Sequence, residues 1–541
     1  MITLKIDGHI ADIDNDTAIG LTISGFDFSE PGNVGLNYSN TFTIPATANN
    51  DSILGFADMV CQYTLATGGK PYGYHVACIY IDGIMAVRGK LYVDSYSDDR
   101  YSVSVVDSRE VYDDFEGLPF ISSGTCVTSI LADYVNDKLD DASINDYDDV
   151  ISWCSDADND VWIPYSAGSL FHHFPYEKVD SDNISSLSDK YEEDGTTLED
   201  YNVFTTEYIS GASSIVGNYK GNHFYFSAKQ MLSVIYDSFG LSITIPDDMP
   251  DDFVMLPDMI IYHDSVNQKY RFAANSTYKR SITDDGSMLS EKNFLDFVKM
   301  YISEYCLVVD SYYDSVSGKY SYVFHPFAGI DSSGIIELKQ TAKPVSVSYR
   351  LGIPRESWIC YSTIGSKSDP TNVGGRKIES INISEENGGQ DQALFTIDRY
   401  LASYLTYVDN DNTTETKLLA ANDTDICQSF VMVRKGDLSP YTVTVQRYNS
   451  PLSSVSVSLN LYNAVQSTVG TQNYWDKYAA VVYSPVKIRV GVAIDAFTVS
   501  QIRQYSRVRL SGTPGLWYIT SLPNFNPSVD ASAEIEAVLL R

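Results

Sequence analysis

Several things that would announce a function are scarce in this sequence. No run approaches the roughly 18 apolar residues of a membrane-crossing helix, and the opening MITLKIDGHIADIDND lacks the apolar stretch of a secretory signal. The seven cysteines, at 61, 78, 126, 154, 306, 360 and 427, are odd in number, widely spaced and without a CxxC pair. That pattern argues against a disulfide framework; it reads as small buried hydrophobes in a chain made in a reducing cytoplasm. Basic residues are few: 37 Lys and Arg stand against 71 Asp and Glu, a net charge of -34. Such a chain is not built to hold nucleic acid by phosphate neutralisation, although a carboxylate-lined duct would let DNA slide past.

Catalytic patterns are missing as well. GASSIVG at 211–217 misses the spacing of a nucleophile elbow. GSKSDPTNVGGRK at 365–377 lacks the order of a phosphate-cradling loop and reads as a flexible connection. Of the seven histidines only His172 and His173 are close, and neighbouring side chains point in different directions instead of converging on zinc. Glu192 and Glu193 could be drawn as a glycosidase pair, but so could many acids here. In DADNDVW, Asp156, Asp158 and Asp160 have the alternate spacing of a calcium loop. Val161 stands where that loop needs glycine and Ala167 where it needs glutamate, so an EF-hand is excluded and an irregular calcium site is the remaining alternative. The expectation is no metal, no cofactor and no enzyme.

What is abundant is tyrosine, 41 residues, with 44% hydrophobic and 13% aromatic residues overall. That composition excludes disorder, and tyrosine suits pleated half-buried surfaces and contact faces. The sequence predicts an α+β, β-rich, multidomain chain, with N-terminal and C-terminal β-barrel or sandwich domains flanking a central α+β region.

Residues 1–117 read as an N-terminal barrel or sandwich. HVACIYIDGIMAV is a hairpin turning at Asp82-Gly83, and GKLYVDSYSDDRYSVSVVD is another turning at Ser97-Asp98-Asp99. NYSNTFTIP ends a strand at Pro45, which has no N–H for a neighbour, and ATANND continues as a polar corner. Residues 118–225 are an acidic insertion. It opens with a helix, VTSILADYVNDKLDD, and residues 133–200 hold 19 acids against 3 lysines, either a solvated face or a partner surface.

Residues 226–335 hold two helix–strand units. Ser227 and Gln230 make a capping box before the stripe Ala228, Met231, Leu232, Ile235 and Phe239, and Gly240 closes the helix before a strand through Leu241, Ile243 and Ile245. Asn293 caps a second helix with the stripe Phe294, Phe297, Val298, Tyr301, Ile302 and Tyr305, followed by a strand from Cys306 and a hairpin through DSVSGKYSYVF. Residues 336–541 are β-rich again, with strands at KPVSVSYRLG, QSFVMVRKG, YTVTVQRYN and SVSVSLNLYNAV. A helical turn falls near Val499–Gln504 before three last strands, and Ile535, Ala537 and Leu539 alternate to the terminus.

Three segments together, PGNVGLNYSNTFTIPATANNDSILGFAD, FSAKQMLSVIYDSFGLSI and VRLSGTPGLWYITSLPNFNPSVDASAEIEAVLL, resemble the tail-tip structural proteins of phages and prophages of Bacteroidetes. The resemblance touches both ends and the middle of the chain. It implies a tail or baseplate hub: barrels stacked in a ring under the tail tube, a homo-oligomer of trimeric or hexameric form, and neighbours such as tube, tape-measure, distal tail or fibre proteins. It also implies a place in the virion, after assembly in the host cytoplasm, with DNA passing transiently through the lumen. Two rival functions are a carbohydrate- or receptor-binding adhesin using Trp153, Trp162 and Trp358, and a wall-degrading glycoside hydrolase.

Overall fold

The computed structural model describes most of residues 2–28, 38–55, 74–107, 111–155, 159–162, 224–274, 292–349 and 474–541, with strand segments between 172 and 461. Alternating apolar residues over the first stretch give β1 (Ile2–Ile6), β2 (His9–Ile10), β3 (Leu21–Ser24), β4 (Tyr38–Ser39), β5 (Phe42–Pro45), β6 (His75–Ile81), β7 (Ile84–Ser97) and β8 (Arg100–Asp107). The β6–β7 hairpin closes with Ile81 opposite Ile84 and Gly83 at φ 82°. The β7–β8 hairpin closes with Ser97 opposite Arg100, Asp98 and Asp99 taking φ of 53° and 57°, the left-handed pair a two-residue hairpin turn requires. One face of these strands, including Leu4, Ile79, Leu91 and Val103, forms a core of its own.

The expected polar corner after Pro45 is a short helix, α1 (Ala48–Ile53), capped by Thr47, whose side chain accepts from the Asn50 amide. Asn50 is fully buried. Its Oδ1 accepts from the Asp12 amide at 2.8 Å, and its Nδ2 donates to the carbonyls of Asp12 and Pro45, both at 2.8 Å. One side-chain amide thus stands in for a missing rung of sheet between the chain after β2 and the end of β5. NYSNTFTIP stops sharply because the residues after Pro45 must turn this amide back under the strand.

The central part repeats one design. After α2 (Val127–Asp140) come α3 (Ala228–Ser238), β9 (Ser242–Thr244), α4 (Phe294–Glu304), β10 (Leu307–Asp314) and β11 (Lys319–Pro326). Both α3 and α4 span 11 residues, end on an aromatic residue (Phe239 or Tyr305) and pass through a left-handed residue, Gly240 at φ 71° or Cys306 at φ 48°. Both following strands flank β11, β9 parallel to it and β10 antiparallel. Asn293 and Asp296 form the reciprocal box at the start of α4. At α3 only half of the expected box exists: Ser227 accepts from the Gln230 amide, while the Gln230 side chain donates to the Tyr134 hydroxyl at 2.7 Å. Phe239, the cap residue of α3, leaves the expected stripe: it is exposed and meets Phe115 only edge to face at 5.4 Å, while Tyr236 is buried. Cys306 belongs to the left-handed cap, and the strand begins at Leu307.

The C-terminal strands are β12 (Ile335–Gln340), β13 (Ser346–Ser348), β14 (Lys487–Ala493), β15 (Arg507–Leu510), β16 (Thr513–Phe525) and β17 (Ser532–Leu540), with helices α5 (Asp476–Tyr483) and α6 (Ala496–Gln501). Their ladders return on themselves: β14 pairs β12, β12 pairs β15, β15 pairs β16, β16 pairs β17, and β17 pairs β14. Inside the circuit Ile488, Val490, Val508, Trp517 and Ile535 make a separate core.

The two terminal β regions are joined in one sheet. β3 pairs β16, with Leu21 opposite Phe525 and Ser24 opposite Ser521, so the terminal strands lie in one 14-stranded sheet running from β13 to β2. The cause is the length of β16. Its first half pairs β15 inside the circuit; a register shift against β17 between Ile519 and Ser521 bends it, and its second half is left for β3.

Candidate functional site at the junction of the terminal strands

Where β3 leaves the seam, the sequence Gly25-Phe26-Asp27-Phe28 enters the central core. Gly25 donates its amide to the Thr520 carbonyl at 2.9 Å, and a Cβ at this position would run into the carbonyl oxygen of Ile519. Only glycine permits that approach. Phe26 and Phe28 are both buried; they meet edge to face at 5.2 Å, Phe26 stacks on Phe327 at 5.3 Å and Phe28 stacks on Tyr478 at 5.8 Å.

Hydroxyl groups lock this plug. Tyr518 accepts from the Phe26 amide at 2.8 Å and donates to the Gln504 carbonyl at 2.6 Å. Tyr478 on α5 donates to the Phe28 carbonyl at 2.6 Å. Gln504 donates its side-chain amide to the Ser24 carbonyl at 2.9 Å and its backbone amide to Asp310 of β10. The other Asp310 oxygen lies 3.5 Å from His325 Nε2, and the His325 ring stacks on Tyr505 at 4.2 Å, 7° from parallel. Burial pushes the Tyr505 hydroxyl up to about 12 and the Tyr478 hydroxyl well above its ordinary value, so both stay neutral donors. Strands from both ends of the chain and the central α+β unit therefore meet at one set of groups.

Chemically this junction holds position. Among the described residues no group of three or more His, Cys, Asp or Glu could hold a metal ion, and no helix is long and apolar enough to cross a membrane. Asp160 accepts from Lys138 and from the Tyr134 hydroxyl, which ties it to α2; Asp156 and Asp158 lie outside the described residues. His172 and His173 form a short strand parallel to Thr414–Ala420. Glu192, Glu193 and 211–217 lie outside the described residues, as do 365–374; residues 375–377 begin a strand, Gly375–Glu379. Trp153 is partly buried against the central core, while Trp162 and Trp358 lie in the strands Val161–Trp162 and Glu356–Tyr361.

Within the acidic window, Asp140 accepts from Lys269 at 2.6 Å and Arg271 at 2.8 Å, and these hydrogen bonds hold its carboxyl down to about 2. Part of that acidity thus fastens α2 to the strand Lys269–Ala274. Cys78, Cys126, Cys154 and Cys306 are free thiols.

The junction itself was not anticipated from sequence. The available signal was the pair of phenylalanines in GFDF directly after a strand, a pattern with no solvated explanation. Tyrosine, expected chiefly at contact faces, also fills the interior here: Tyr236, Tyr301, Tyr478 and Tyr518 are all buried.

No family model matches the chain, and no curated protein does. Among solved structures the chain is similar to the 43 kDa tail protein of prophage MuSo2 from Shewanella oneidensis, at 11% identity and a TM-score of 0.34, covering 100% of this chain and 98% of that one.

Proposed function

We propose that this chain is a structural component of a phage tail, a hub or baseplate hub at the tail tip, and that it works by assembly, with no catalytic centre of its own. The observation that carries the reading is the seam between β3 and β16 with its plug and hydroxyl locks. It makes a continuous hydrogen-bonded path from one end of the chain to the other, with the central unit wedged against it. A path of that kind transmits force and fixes spacing, which is what a ring component must do. The three sequence segments that resemble tail-tip proteins support the same reading, and two of them, at the chain's ends, contribute strands to the same 14-stranded sheet.

In this reading the C-terminal ladder circuit is a small barrel and the N-terminal strands are a second one, stacked as parts of a ring of three or six copies. The net charge of -34 keeps a passing DNA backbone from adhering. Tube, tape-measure and fibre proteins are the expected neighbours in the virion. The test is mass spectrometry of purified particles with immunogold labelling. The chain should be a stoichiometric component and the label should sit at the tail tip; particles with complete tails that lack the chain would refute the reading.

A further inference from the structure

We propose that the outer edge of β13 is a docking site for an extended segment of a different protein, one that alternates apolar with acidic residues and adds to the sheet as a further strand. The inference goes beyond the tail reading and uses nothing from it.

β13 ends the path of the 14-stranded sheet: one edge pairs β14, and among the described residues no strand pairs the other. Its apolar side chains are uncovered as well. Val345, Val347 and Tyr349 alternate onto one face and are 66%, 48% and 59% exposed. Val347 stands opposite Ile488, which is buried. Cross-strand partners share a face, so this row extends the apolar surface that lines the C-terminal core. Natural edge strands are guarded by lysine, proline or charge. Here Lys343 and Pro344 guard only the entry, and the next five residues, VSVSY, carry no charge. An open edge beside a row of apolar side chains takes up an extended peptide, whose backbone is held by the ladder and whose alternate side chains are selected by the row.

The other edge of β14 shows the chemistry of a strand that fits this sheet. β17 lies there with Ile535 and Ala537 in the core, while Glu534 and Glu536 on the outer face pair with Arg489 and Lys487. Beside β13 the matching acids are missing. Residues 338–355 hold four cations and no acid. Lys339 and Lys343 are exposed and form no ion pair with a described residue, and Glu337, the preceding acid in the sequence, is engaged by Arg509. The occupant that completes the edge is therefore a strand of the β17 type, apolar on the face of Val347 and acidic on the face of Ser346 and Ser348. A second copy of β13 would instead set lysine against lysine.

The test measures binding of two fluorescein-labelled peptides to the full-length chain by anisotropy. One is Ser-Glu-Val-Glu-Val-Glu-Val-Glu-Ser; the other has lysine for every glutamate. In about 0.15 M salt the Debye length of about 8 Å lets the nearby lysines, and not the distant net charge of -34, decide between them. The acidic peptide should bind at least about tenfold more tightly than the basic one, and exchange of the amides of residues 345–349 should slow when it binds. Val347→Glu should weaken the acidic peptide at least about tenfold, with circular dichroism as the folding control; Tyr349→Asp replaces it if that variant misfolds. Lys339→Glu combined with Lys343→Glu should reverse the preference between the peptides. No binding of the acidic peptide, equal binding of both, an unchanged preference in the double variant, or protection confined to other strands would each overturn the proposal. Sedimentation of the free chain as a multimer whose residues 345–349 are already protected would overturn it too, since a second copy would then hold the edge. None of these results bears on whether the chain is found in particles, so the edge site and the tail reading fail separately.

Discussion

The hydroxyl of Tyr518 lies 2.8 Å from the amide nitrogen of Phe26, a residue 492 positions earlier in the chain, and the same oxygen donates to the Gln504 carbonyl. Tyr518→Phe keeps the ring and removes both bonds, leaving a buried amide unsatisfied. The expected loss is about 1–3 kcal/mol, read as a lower denaturation midpoint with an unchanged m-value. Exchange of the Phe26 amide should accelerate more than that of amides in β6 or β7.

Gly25→Ala attacks the seam from the other side. A Cβ there meets the Ile519 carbonyl, which is backbone and cannot swing away. The pairing of Ser24 with Ser521 should open, at a cost of about 2–4 kcal/mol, in line with overpacking of a well-packed site. Limited proteolysis checks it: cleavage near Gly25 should appear in the variant and be absent in wild type.

Asn50→Leu keeps approximate volume in the N-terminal core but leaves the Asp12 amide and two carbonyls without their partner. The expected destabilisation is about 2–5 kcal/mol, because buried groups left unpaired cost more than the bond was worth. The effect should be read in hydrogen exchange as faster exchange of the Asp12 amide and of amides in the β5 ladder.

Asp258 sets a pH dependence. It is fully buried, its Oδ1 accepts from the Thr128 hydroxyl at 2.7 Å, and its Oδ2 has no hydrogen-bond partner. Burial pushes its carboxyl up to about 7 from an ordinary 3.8, against the pull of Thr128 and its own backbone amide. Between those values the folded chain holds a proton that the unfolded chain has released. This contribution to stability is therefore complete below about pH 4 and is lost as pH rises through 7, at most about 4 kcal/mol. Asp258→Asn should flatten that slope. Urea titrations of both proteins from pH 5 to pH 8 check it; an equal slope in the two would remove Asp258 as the cause.

Local features were legible in the sequence because their causes are local. The cap at Asn293, the left-handed Gly240, and the turns at Gly83 and Asp98-Asp99 each depend on neighbours within four residues, and each stands where the pattern put it. The buried pattern of Ile535 and Ala537 was likewise readable, and β17 is held on both edges, by β14 and β16. The seam was not readable. β3 and β16 are some 490 residues apart, and nothing in Leu21–Ser24 names its partner; the need for Gly25 exists only once the Ile519 carbonyl is beside it. Asn50 looked like corner polarity because its three partners come from chain segments that are adjacent only after folding.

Electron cryomicroscopy of intact particles tests the central claim most directly. Copies of this chain should encircle the tail axis at its tip, with the β3–β16 seam intact in every copy. A tail tip built without the chain, or copies attached singly to the outside of the tail with no ring, would contradict it.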